Sequence, residues 1–160
     1  MMSDYDAQAQ QAPKPDPALK RLEKFVGTWD MKGRTLNSKE DNVFGRATFE
    51  WLPGGFFLQQ RIEIDFIGME LHSLELIGYD PQTQAFSSYV YSNMSPMPLP
   101  YKWDVQDDTL TISVAYGPLD ATFKGKFSKD GKSFSGGWRP NPGADESINV
   151  PYDIEGTRAK

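Results

Sequence analysis

From Gly27 to the C-terminal end, apolar side chains recur at every second position in run after run, and the breaks between runs are short. A period of two marks strands that bury one face. Ten such runs are predicted, near residues 26-35, 43-51, 56-67, 69-79, 85-92, 101-107, 109-116, 120-128, 132-139 and 149-158. Turn signals separate them: Pro53-Gly54-Gly55, Ile67-Gly68, Asp80-Pro81-Gln82-Thr83, Asp107-Asp108, Gly117-Pro118 and Lys129-Asp130-Gly131-Lys132. Such connections are too short for crossovers, so sequence neighbours pair antiparallel in a meander. About ten strands in this order suffice to close an up-and-down barrel wide enough to hold a ligand.

Two residues near the chain ends point to closure. Trp29 lies in Phe25-Val26-Gly27-Thr28-Trp29, and Arg158 ends Tyr152-Asp153-Ile154-Glu155-Gly156-Thr157-Arg158. Alternation puts both on the apolar face of their strands, where a guanidinium stacked on an indole seals one end of a barrel. Before the first strand, Asp16 is placed to cap a short helix that starts at Pro17 and carries Leu19, Leu22 and Phe25 on one face. This helix is expected to plug an end of the barrel. Residues 1-15 are Gln- and Ala-rich and broken by Pro13 and Pro15, which reads as a flexible tail ahead of a single β-barrel domain at 16-160.

Composition removes several functional classes. The chain has 160 residues, enough for one domain with a real core. Its 22 acidic and 17 basic residues give a net charge of -5 with no Lys/Arg run, which argues against nucleic acid as a partner. Cysteine is absent, so disulfides and thiolate chemistry are excluded. The opening Met1-Met2-Ser3-Asp4-Tyr5-Asp6 has no basic region followed by an apolar core, and no apolar run approaches membrane-spanning length. A cytoplasmic protein without a membrane partner is expected. Aromatic residues make up 13% of the chain and are spread through the strands, where they can line a cavity as well as fill a core.

The Gly27-Thr28-Trp29 segment after a short helix, with Thr157-Arg158 closing the last strand, resembles the Gly-x-Trp and terminal Arg pattern of the calycin superfamily, which includes lipocalins and fatty-acid-binding proteins. Leu22 to Trp29, Trp51-Leu52-Pro53-Gly54-Gly55-Phe56-Phe57-Leu58 and Leu76-Ile77-Gly78-Tyr79-Asp80-Pro81 look closer still to a bacterial family of calycin-like barrels, the domain of unknown function 1579. The likeness spans roughly residues 17 to 160. It implies an all-β, calycin-like antiparallel up-and-down barrel of about ten strands around a central pocket, and it brings no catalytic residues with it. More distantly the chain is similar to the nitrobindins, barrels that bind haem through one histidine.

Within that frame the expected function is binding of a small, largely apolar molecule, with no cofactor and no metal. Candidate ligand contacts are Trp51, Gln60, His72, Tyr89, Tyr91, Trp103, Tyr116 and Trp138, with Met94 and Met97 at the mouth in the loop Asn93-Met94-Ser95-Pro96-Met97-Pro98-Leu99-Pro100. Gln60 is the polar residue on the otherwise apolar face Phe56, Leu58, Ile62, Ile64 and Phe66, so it needs a protein or ligand partner. His72 is the sole histidine and the haem alternative rests on it. Alternation leaves open which face of 69-79 and of 85-92 points inward. A second alternative is a cofactor-independent isomerase or cyclase that holds a flexible substrate in reactive shape. Glu63 and Asp65 share the face of Arg61 and Gln59 and read as solvated exterior, and no Gly-x-Ser-x-Gly elbow accompanies the histidine. Outward apolar residues such as Val26, Phe57 and Ile67 offer a surface for a homodimer.

Overall fold

A computed structural model describes residues 12–159. Residues 1–11 of the expected tail lie outside the described residues, and 12–15 run exposed and without regular structure to Asp16. Asp16 caps the helix as expected: its Oδ1 accepts from the Ala18 N–H at 2.8 Å, and Pro17 takes the first position. The helix, Pro17–Phe25, is 3₁₀ throughout. Leu19, Leu22 and Phe25 recur every third residue, a spacing that stacks them in one eclipsed row on a three-per-turn helix, and all three are buried.

Ten strands follow: β1 (Gly27–Thr35), β2 (Val43–Trp51), β3 (Leu58–Phe66), β4 (Met69–Asp80), β5 (Ala85–Ser92), β6 (Leu99–Gln106), β7 (Thr109–Tyr116), β8 (Leu119–Phe127), β9 (Ser133–Pro140) and β10 (Tyr152–Arg158). Each pairs antiparallel with the next, and β10 returns to pair with β1, so the sheet is a closed barrel. The last strand starts at Tyr152, later than the predicted 149. Pro151 has no N–H to give a ladder, and the Asn149 side chain is occupied in tying the preceding loop, accepting from Asp120 N and donating to Pro118 O.

Closure rests on the two residues that stood out in the sequence. Trp29 and Arg158 are direct cross-strand partners, and the guanidinium carbon lies 4.3 Å from the indole centroid. Arg158 also donates to three backbone carbonyls: Nε to Gly131 at 2.9 Å, Nη1 to Val26 at 2.6 Å and Nη2 to Lys24 at 2.7 Å. Trp29 is fully buried and donates from Nε1 to Phe25 O at 2.8 Å. One cation thus fastens the helix exit, β1, β10 and the β8–β9 turn together.

The helix covers the end of the barrel where β1, β3, β5, β7 and β9 begin. Phe25 packs against Phe49, Trp103 and Phe127 at centroid distances of 5.5, 5.6 and 4.9 Å. Arg21 lies over the Phe86 ring at 5.0 Å. Leu58, Ile77, Phe86, Val105, Leu110 and Phe127 complete a dry layer beneath it. Close approach here requires glycine: a Cβ at Gly156 would collide with the Phe134 ring, which lies directly over that backbone. No helix among the described residues is long and apolar enough to cross a membrane.

Because Arg158 joins four segments, its removal should be felt by the whole barrel. Arg158→Ala is expected to cost about 2–4 kcal/mol in urea unfolding, since it removes a stacked cation and leaves three carbonyls without their donors. Arg158→Lys should recover part of this, because an ammonium keeps the charge and loses the planar fork. A variant that unfolds at the parent midpoint would contradict the closing role.

Candidate functional site

The β3–β4 turn decides which residues of two ambiguous strands face inward. Ile67 and Gly68 both adopt positive φ, 53° and 84°, and close a two-residue hairpin that pairs Phe66 with Met69. That register sets Gln60 opposite Glu75. Directly opposed residues share a face, so Glu75 points inward with Leu71, Ser73, Ile77 and Tyr79, while His72, Leu74 and Leu76 point out. Glu75 in turn pairs with Val90, which turns Phe86, Ser88 and Val90 inward and Tyr89 and Tyr91 outward.

Glu75 is the chemical centre of the interior. Only 6% of it is exposed. Ser88 Oγ donates to its Oε2, and Trp103 Nε1 donates to the same oxygen at 2.9 Å and to Ser88 Oγ at 3.2 Å. Burial raises the carboxyl pKa from 4.5 to about 7, with the Ser88 and Trp103 donors pulling the other way. Burial pushes the Tyr101 phenol up to about 12, helped by the charge of Glu75. Tyr152 is raised too, by burial and then by Tyr101. The three groups therefore sense one another across a poorly solvated space.

The candidate cup is the half of the barrel away from the helix. Met31, Ile62, Ile64, Ser73, Val90, Tyr101, Trp138 and Tyr152 all point into a closed barrel, yet each is only half-buried. Val43, Val114, Ala121 and Ile154 in the same half are buried, and the rings of Phe66 and Tyr152 pack together there at a centroid distance of 4.9 Å. Gln60, 8% exposed, takes no side-chain hydrogen bond among the described residues, and neither does Glu75 Oε1. Among those residues no buried polar side-chain atom is both sealed from solvent and unpartnered, so these two groups face reachable space.

The residues singled out from sequence divide into three groups. Gln60, Trp103 and Trp138 face the interior together. Tyr116, Met94 and Met97 stand exposed at the rim of the open end. Trp51 sits at the opposite end, where its Nε1 donates to Glu23 Oε2 at 2.7 Å beneath the helix. Tyr89, Tyr91 and His72 correct the sequence reading: the first two are 56% and 51% exposed on the outer face, and His72 lies outside with Nε2 3.8 Å from Glu70. Val26 is half-buried against the core, whereas Phe57 and Ile67 are exposed, with the Phe57 ring over Gly78. Glu75 was missed, although the Ile67-Gly68 turn, read as a two-residue hairpin, places it opposite Gln60 on the same face.

A recess of about 670 Å³ lies outside the barrel across β8, β9 and β10, where Gly136 and Gly137 leave the sheet bare. It is open to solvent, and Arg139 and Asp153 in its wall already pair with each other at 2.6 Å. The interior cluster is the better candidate because its polar groups are buried and incompletely paired.

A closed ten-stranded antiparallel barrel with a short helix over one end and a buried carboxyl at mid-depth defines the class of the protein. Residues 14–126 match the family described as Protein of unknown function (DUF1579), and the chain belongs to that family. No curated protein matches it.

The buried carboxyl makes stability depend on pH in a particular direction. Folded Glu75 keeps its proton to about pH 7, whereas an unfolded glutamate releases it near 4.5. The folded state binds the extra proton between those values, so stability should fall across that window by on the order of 2–3 kcal/mol and level off above it. Asp130 and Asp145, lowered by hydrogen bonds from Ser128 and Ser147, lose their contributions only as pH drops below 3.8 and do not interfere. Urea unfolding from pH 5 to 8 should show the decline in the parent and a flat line in Glu75→Gln. Parallel curves for the two proteins would contradict a buried, late-titrating Glu75.

Proposed function

We propose that this chain reversibly binds a small, largely apolar molecule in the cup of a calycin-like barrel, admitted at the end opposite the helix. The observation that carries the reading is Gln60, an amide nine-tenths buried at the floor of an apolar cup with no side-chain partner among the described residues. Among the described residues no sealed polar side-chain atom lacks a partner, so the Gln60 amide keeps some solvent contact that a polar group on a bound molecule would replace. Ile62, Ile64, Tyr101 and Trp138 supply the apolar wall. Met94 and Met97, adaptable in shape, stand where such a molecule enters.

One observation favours a second reading, a cofactor-independent isomerase or cyclase. A carboxyl titrating at about 7 is suited to exchange a proton with a substrate near neutrality. Turnover separates the two, because a binder returns its ligand unchanged. Haem ligation through His72 has no support in the geometry, since that side chain lies on the outer face.

Native mass spectrometry of freshly purified protein is expected to reveal a retained small molecule or, after stripping, uptake of N-phenyl-1-naphthylamine at one per chain. Ser73 points into the cup and is half-buried, so Ser73→Trp should fill the space and weaken uptake at least about tenfold while the barrel still folds. Unchanged uptake by that variant would move binding outside the barrel. Gln60→Leu should change stability by less than about 1 kcal/mol, because the amide it removes keeps solvent contact, and should weaken binding of a polar-headed ligand at the same time. A larger loss of stability in Gln60→Leu would mean instead that the amide is already satisfied.

A further inference from the structure

Resting on the binding reading above, the charge pattern of the interior says which head groups fit. Every inward strand position among the described residues is neutral or weakly acidic except Glu75 and Arg158. Arg158 is fully engaged at the helix end, stacked on Trp29 and bonded to three carbonyls. Among the described residues, no free cation therefore faces the cup. What does face it is Glu75 Oε1, an acceptor whose sister oxygen is already held by Ser88 and Trp103. The amide of Gln60 is its direct cross-strand neighbour.

We propose that the cup selects apolar molecules carrying a hydrogen-bond-donating head, a hydroxyl or an amine, that meets Glu75 Oε1 and the Gln60 amide, and that it rejects apolar carboxylates. A hydroxyl or ammonium donates to a fixed carboxylate oxygen and gains a charge-assisted bond in a dry setting. A fatty carboxylate brings a second negative charge to a site with no cation to receive it, which forces one of the two to stay protonated or unpaired. The Ser88 and Trp103 donors hold the Glu75 carboxyl in one orientation, so the acceptor is preorganised.

The test is displacement of N-phenyl-1-naphthylamine by dodecanol, dodecylamine and dodecanoate at pH 8, each below its micellar concentration. The three share one chain and differ only at the head. Dodecanol and dodecylamine are expected to displace the probe at concentrations at least about tenfold lower than dodecanoate. In Glu75→Gln, which keeps an acceptor for Ser88 and Trp103 and removes the charge, the gap should shrink to roughly threefold or less. Equal or better displacement by dodecanoate in the parent protein overturns the selectivity while leaving interior binding intact. A preference that survives Glu75→Gln also overturns it, since the net charge of -5 would then be its source. Failure of the neutral probe to bind, or equal binding to Ser73→Trp, overturns interior binding and this inference with it. If Glu75→Gln does not fold, the parent order is measured again at about 0.5 M NaCl, where a preference set by the net charge is screened away and overturns the inference, while one set by the buried Glu75 persists.

Discussion

A sheet of ten strands has an inside only if its first and last strands meet, and here a single guanidinium holds that junction. Arg158 stacks on Trp29 across the β1–β10 pair and reaches carbonyls on the helix exit and on the β8–β9 turn. Without the junction, β1 and β10 would be open edges, with unpaired ladder groups available to other chains. The same contacts fix the helix: two of the three carbonyls belong to Lys24 and Val26, at its end and just beyond. Closing the barrel and covering one of its ends are consequently a single structural event.

That event divides the interior into unequal halves. Beneath the helix, Phe25, Phe49, Trp103 and Phe127 interlock with the aliphatic residues of the strand starts, and glycines such as Gly156 let rings lie flat on the backbone. Away from the helix burial is mixed: Met31, Ser73, Tyr101 and Trp138 are half-buried, while Val43, Val114 and Ile154 are buried. Glu75, Ser88 and Trp103 lie at the boundary, dry enough to raise the carboxyl to about 7 and close enough to the cup for one of its oxygens to remain unpaired. A group kept under these conditions makes the fold less stable above neutral pH.

Much of the architecture was legible in advance, because period-two alternation and turn residues are local. The strand boundaries follow Gly, Pro and Asp-rich breaks, and the faces of β1, β2, β3 and β6 to β10 follow from apolar residues concentrated on one side. In β4 and β5 both faces mix apolar and polar residues: Leu74 and Leu76 accompany His72 on one side, while Leu71 and Ile77 accompany Glu75 on the other. Composition gives no preference there. The tyrosines of β5 and the lone histidine looked functional because of residue type, yet their strand register turns them to solvent.

The amino-acid sequence by itself determined that this chain is a meander, that its ends carry a matched indole and guanidinium, and that Gln60 sits on an apolar face. Those facts depend on spacing along the chain and on side-chain chemistry. Only the tertiary structure decided that Glu75, Ser88 and Trp103, from three different strands, share one hydrogen-bonded cluster, and which inward side chains are fully buried and which only half. Register across strands and the volume left between side chains are properties of the closed sheet, set by pairing between distant segments that no local pattern encodes.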